Sequence, residues 1–484
     1  MKTESAILTP RLLALLLWGL SATCVSATAQ EFDWGFLASR LEDANGDIRV
    51  RGLGPFFEHA QSQEGGRLSA FRPFYYSGTD AATERRFREV IWPLATTRRF
   101  LNERDTRVLL AYYKRFNVTE PRGRYRFMVL PLYFQGRDKA GQGYTALFPV
   151  AGSIHEFLGQ DAMSFFLFPL WSYSSINSVE TRSVLWPIYS RTKGKGISRF
   201  RVFPFYGYAR HRARYEKGFV GWPFYTWAHF TYPDAQGHGY IVFPLWGRFK
   251  MPDQDAWLIL PPLFRFSRGE RMDYSYAPWP FFQRSRGQIE RLYFWPIWGR
   301  RTLAGVRSTF FLWPIFRSER VDRGATIRRR FWALPVVFSQ VDIRRAAGDE
   351  PARTVMRHHR VWPLVSYRQE ENTRRLRLLE LWPLWGASPV ERNWAPFWTL
   401  FDWTKVGQNA DTEVLWGLCR DRRRGEERRA VSLFPIWEWR RDDRAGGARE
   451  WNVLKGLLGR RHDERGVSYR LLYFIRLGGR EKEP

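Results

Sequence analysis

The sequence predicts an all-β fold: tandem strand-turn repeats of about 19 residues in a long antiparallel up-and-down meander, closed as a barrel of about 22 strands. Three observations lead there. A proline-centred aromatic motif recurs along the chain, polar and apolar residues alternate before many of its copies, and the connections are too short for crossover helices.

The motif is a short apolar run ending in Trp or Phe, then Pro, then an aliphatic or aromatic residue. Its clearest copies carry Trp92-Pro93, Phe168-Pro169, Trp186-Pro187, Phe243-Pro244, Trp295-Pro296, Trp313-Pro314, Trp362-Pro363 and Trp382-Pro383. Pro55, Pro73 and Pro93 are followed by a degenerate copy at Ala111, then by Pro131, Pro149, Pro169 and Pro187, so the steps alternate between 18 and 20 residues. Pro55 and Pro93 thus stand 38 apart, which favours a two-strand hairpin as the building block over a β-solenoid with one coil per unit. Near the C-terminus Gly417 and Gly456 take the proline position.

Strand character comes from segments such as Arg199-Phe200-Arg201-Val202-Phe203, whose period of two puts alternate residues on opposite faces. Turn-formers separate the units, as in Thr192-Lys193-Gly194-Lys195-Gly196. Proline has no N–H for a ladder, so its place in each unit is read as a bend within the strand. The flanking Trp and Phe would then pack against the prolines of neighbouring units in a continuous ring. The plainer reading is core filler kept in register by tandem duplication.

Residues 1–29 read as a signal peptide: Lys2 and Arg11, an apolar stretch from Leu12 to Leu20, then Ala27-Thr28-Ala29 as the cleavage site. Residues 30–484 form one β-repeat domain, with repeats from about 50 to 477 and a longer insertion at about 340–360. Cys419 is then the single cysteine, so no internal disulfide can hold the fold. No later run reaches the roughly 20 apolar residues of a membrane helix, so any insertion must use strands.

Lys plus Arg number 77 against 48 acidic residues, a formal charge of +29, while 17% of residues are aromatic. Such a chain is folded rather than a disordered basic tail, and it favours anionic partners. The run Gly54-Pro55-Phe56-Phe57-Glu58, then Phe71-Arg72-Pro73-Phe74-Tyr75 and serial Trp-Pro-Leu units, resembles a group of uncharacterised exported bacterial proteins with such repeats. The resemblance implies bacterial origin and export, and it brings no activity with it.

An exported meander of this length fits an outer-membrane-associated barrel or envelope protein with a passive transport or structural role, favouring anions. The alternative is a soluble periplasmic scaffold that binds an anionic envelope polymer or lipid. Partners of either kind are the outer membrane, lipopolysaccharide or an acidic glycan; export disfavours nucleic acid. The anion-binding candidates are Arg199, Arg201, Arg210, Arg212 and Arg214, then Arg328, Arg329 and Arg330, and Arg422, Arg423 and Arg424, because guanidinium groups bind phosphate or carboxylate in a bidentate fashion.

No catalytic, metal or cofactor site is expected. His358-His359 sit in the insertion and read as a solvated loop, and no zinc, P-loop or nucleophile-elbow motif is present. Ser190-Arg191-Thr192-Lys193 matches S-x-x-K in letters, yet that pairing needs a helix and this segment reads as a strand running into a turn.

Overall fold

In the computed structural model the described residues are 31–478, apart from 81, 213, 234, 271, 347–350, 384–387, 445–446 and 465. The expected signal peptide, residues 1–29, lies outside them. The described chain forms one antiparallel sheet of 46 strands in which each strand pairs with its neighbours in sequence. Strands are about six residues long, as in Val179–Val184 and Tyr189–Gly194, which makes a ribbon roughly 20 Å wide at about 3.3 Å per residue.

The all-β tandem meander is therefore present, but the expected strand count of about 22 is corrected to 46. Each repeat is a whole hairpin, and its motif is a turn rather than the middle of a strand. Leu185-Trp186-Pro187-Ile188 connects those two strands, with Leu185 at φ 50° and a cis bond before the proline. The Ile188 N–H donates to the Leu185 carbonyl at 2.7 Å and closes the turn. The Trp186 N–H donates to the Pro169 carbonyl of the preceding motif at 2.8 Å. Phe168 to Pro149, Trp222 to Pro204 and Trp313 to Pro296 repeat that bond, each at 2.7 Å. Proline thus serves where only its acceptor is needed, and no strand ladder loses a donor.

Aromatic side chains before the prolines touch along the same edge: Phe148 to Phe168 at 5.5 Å, Phe168 to Trp186 at 5.9 Å and Trp295 to Trp313 at 5.9 Å between ring centroids. These are ring-to-ring contacts between successive turns.

Hydrogen bonds do not close the sheet into a barrel. Among the described residues the first strand, Phe32–Trp34, pairs only with Ala38–Glu42, and the last, Ile475–Leu477, only with Gly466–Leu471. The ends meet through side chains instead. On the inner face one cross-strand row opens with Asp33, Ser39, Arg51 and Glu58 and, toward its other end, runs through Asp402, Glu413, Arg420, Ser432 and Glu438. These two stretches face each other and join through ion pairs, helped by the short helix Ser388–Asn393. Between them one stretch of the same row is apolar, and its Met128, Phe134, Ala146 and Phe165 form the buried core with Tyr144 and Ile154.

The expected insertion at about 340–360 is a long hairpin. Its strands are Val337–Arg344 and Arg353–Val361, so His358 and His359 lie on a strand and not in a solvated loop.

Candidate functional site

The motif turns gather on one edge of the ribbon and make it apolar. The residue after the proline stands in solvent: Phe205 is 70% exposed, Phe224 63% and Leu364 62%. The outer face continues this strip for one row of the sheet. There Trp171, Val184, Tyr189, Val202, Tyr206, Val220 and Tyr225 are successive cross-strand partners. One row further in the outer face is mixed: Arg182 stands opposite Arg191 and Arg284 opposite Leu292, while Phe200 and Tyr208 follow Arg191 as successive partners. The turns on the other edge are mostly polar, as in Lys195-Gly196, Arg323-Gly324 and Gly407-Gln408. The ribbon is amphipathic across its width, a consequence of placing one motif turn in every hairpin.

Two faces divide the candidate arginines. Arg199 and Arg201 lie on the inner face of Ile197–Val202, where Arg199 donates to the Tyr215 hydroxyl at 3.0 Å. Arg210 is exposed on Tyr206–His211, and Arg212 and Arg214 are exposed in the turn that follows. Lys193, Arg210 and Arg212 border a groove of about 450 Å³ at the polar edge. Arg328 forms a fork on Asp342, with bonds of 2.9 to 3.1 Å, while Arg330 reaches Gln340 at 3.0 Å and Arg329 projects from the opposite face. Arg422 pairs with Glu31 at 3.1 Å, Arg423 with Asp421 at 3.2 Å and Arg424 with Asp411 at 2.6 Å. The structure thus brings Arg199 together with Arg201, and Arg210 with Arg212, but commits Arg328 and the 422–424 group to carboxylates.

The joint between the ends is the most highly charged interior. Glu58 is buried against Arg72, with Arg49 at 3.4 Å and Arg51 at 3.7 Å. Burial raises its carboxyl, but Arg51, Arg72 and Arg49 together outweigh this and hold it at about 2. Asp33 is likewise buried with Arg420, accepts from Ser432 Oγ at 3.0 Å and is held below its ordinary range. Glu413 joins Arg51 at 2.5 Å and is lowered too, because the guanidinium groups overcome its burial. Sequence reading passed over these residues. Their signal was parity: acids at Asp33, Glu58 and Glu89 occupy positions that elsewhere along the sheet face the core.

A cavity of about 1000 Å³ lies on the inner face between Leu130 and Phe249. Phe148, Phe168, Trp186 and Trp222 from the motif turns border it, Ser183, Ser190 and Thr192 form part of its floor, and Arg199, Arg201 and Lys217 reach it.

His358 packs against the Phe338 ring at 5.3 Å, while His359 faces the other way beside Ser339 Oγ at 2.9 Å. Ser190 and Lys193 share the strand Tyr189–Gly194 at an odd spacing, which puts them on opposite faces. Among the described residues, no three His, Cys, Asp or Glu side chains converge as a metal group, and no helix is long and apolar enough to cross a membrane. No protein-family model matches the chain, and no curated protein is detectably similar to it in sequence.

Proposed function

We propose that this chain is an exported envelope protein that seats its aromatic edge in one lipid leaflet and serves a structural role at the outer membrane. The observation that carries the reading is the uninterrupted apolar strip formed by the motif turns and the adjoining outer row. Scattered apolar residues are normal on a protein surface, but a contiguous strip bordered by arginine marks a contact with lipid or protein.

Depth separates dipping from spanning. Strands of six residues fall short of the roughly 9–11 that cross a bilayer, and the strip free of charged residues occupies only about the outermost third of the ribbon, since Arg182, Arg191 and Arg248 enter the next row among its aromatics. That depth of roughly 7 Å matches an interfacial element, which buries about 5–10 Å. Driving the ribbon deeper would put Arg182 and Arg191 into hydrocarbon, at about 2–4 kcal/mol each near the midplane. Held at the interface, they reach lipid phosphate.

The polar edge supports a second contact. The groove between Lys193, Arg210 and Arg212 suits an anionic glycan or the head of lipopolysaccharide.

Fractionation of the envelope tests the proposal. The protein is expected in the membrane pellet, resistant to carbonate washing and released by detergent. Recovery in the soluble periplasm would overturn it.

A further inference from the structure

We propose that the inner cavity is a binding site for one anionic phospholipid, with its phosphate at Arg199, Arg201 and Lys217 and its chains against the motif aromatics.

The cavity arises from a change in side-chain size along the inner face. The row that holds Phe134, Ala146 and Phe165 continues as Ser172, Ser183 and Ser190, then Arg201 and Gly207. Small residues cannot fill the space that phenylalanine fills a few strands earlier. The opening that results, about 1000 Å³, is at the upper end of what single ligands occupy, roughly 300–1,000 Å³.

Its chemistry is divided. Phe148, Phe168 and Trp186 form an aromatic wall, and because they belong to the motif turns the wall adjoins the apolar edge. Arg201 is half-buried beside this wall, and its Nε is buried without a hydrogen-bond partner. Lys217 lies over the Tyr215 ring at 5.2 Å, and Arg199 bonds the hydroxyl of the same residue. No acidic residue is among the described residues that line the cavity. This contrasts with the joined ends, where the buried Arg72 and Arg420 each meet a carboxylate.

A purely apolar ligand would desolvate the cations without replacing their water. A small inorganic anion would leave the aromatic wall wet. An anionic lipid satisfies both halves, and the neighbouring edge gives its chains a route from the leaflet. The inference uses the proposed membrane contact only for that route.

Titration calorimetry on the purified full chain tests it, with monomeric dihexanoyl-phosphatidylglycerol, dihexanoyl-phosphatidylcholine and inorganic phosphate as probes. Phosphatidylglycerol is expected to bind at one site, at least tenfold tighter than phosphatidylcholine, and phosphate is expected not to displace it. R199Q combined with R201Q should reduce phosphatidylglycerol to the affinity of phosphatidylcholine, and S190L should weaken both lipids by occupying the floor. The charge variant keeps the test decisive where S190L fails to fold. Equal affinity for the two lipids, equally tight binding of phosphate, or indifference to the arginine changes would overturn the inference. Flotation with vesicles reports the edge separately, so loss of flotation with calorimetric binding intact would overturn the membrane reading alone.

Discussion

Glu89 and Asn393 are 304 positions apart, yet the Asn393 amide donates to Glu89 Oε2 at 2.6 Å and each residue is only 1% exposed. Arg392 pairs with the other carboxylate oxygen, so one buried acid ties the short helix Ser388–Asn393 to the strand Arg85–Val90. Truncation to Glu89→Ala removes the acceptor of one Asn393 N–H and of the Arg392 guanidinium, while the Asn393 amide keeps its bond to the Pro389 carbonyl at 2.9 Å and Arg392 stays partly exposed. Breaking a buried ionic contact from one side costs about 3–5 kcal/mol. Glu89→Gln keeps the shape and one acceptor, and should cost less, about 1–3 kcal/mol. Denaturant melts of the three proteins should rank in that order. Equal stability would show that the ends do not depend on this contact.

Acid should part the ends of the ribbon. Glu58 has a lower pKa folded, about 2, than its ordinary 4.5, so its contribution is complete above 4.5 and falls away as pH drops toward 2. Asp33, Asp402 and Glu413 are also lowered and act in the same direction, burial being outweighed by Arg420 and Lys455 at Asp33 and by neighbouring arginines at the other two. Hydrogen exchange is expected to rise in 33–89 and 402–455 over that window, ahead of the central strands. Uniform exchange along the chain would contradict a charge-held joint.

A separate transition belongs to His358. Burial, then Arg368, Arg360 and His359, push its imidazole from 6.5 down to about 4. The folded state therefore favours the neutral ring, and its contribution is full above 6.5 and lost as pH falls toward 4. Melting temperature in wild type should decline across that interval more than in His358→Gln. Parallel curves for the two proteins would assign the decline to other groups.

The meander was legible because proline spacing and short connections are local properties of the sequence. Strand number was not, because an apolar run such as Leu185-Trp186-Pro187-Ile188 resembles strand core. Its first residue is left-handed, at φ 50°, a conformation that leucine rarely adopts. Only the proline hinted at the turn. The aromatic contacts followed from the repeat, although they join ring to ring between successive turns. The joint was out of reach, since Glu89 and Arg392 find each other through the path of the whole ribbon. Counting basic residues likewise could not separate Arg424, committed to Asp411, from Arg201, which lies at the cavity.

The apolar edge gives the most direct test of membrane contact. Phe205, Phe224 and Leu245 follow the prolines of three successive motifs and are all well exposed, so replacing them removes little packing. Each large side chain transferred from water into the interface is worth about 1.5 kcal/mol or more, roughly tenfold in affinity. Phe205→Ser, Phe224→Ser and Leu245→Ser should therefore weaken flotation with phosphatidylglycerol vesicles stepwise, by about tenfold for each change while the sites act independently. Melting temperature should move little, because exposed substitutions of this kind usually fall within about 0.5 kcal/mol. High salt should weaken the arginine contribution and leave the apolar one, since ionic attraction is screened over about 8–10 Å. A triple variant that floats like wild type would assign the edge to a protein partner instead of lipid. A triple variant that unfolds would show that these side chains pack against the fold and are not free to enter a leaflet.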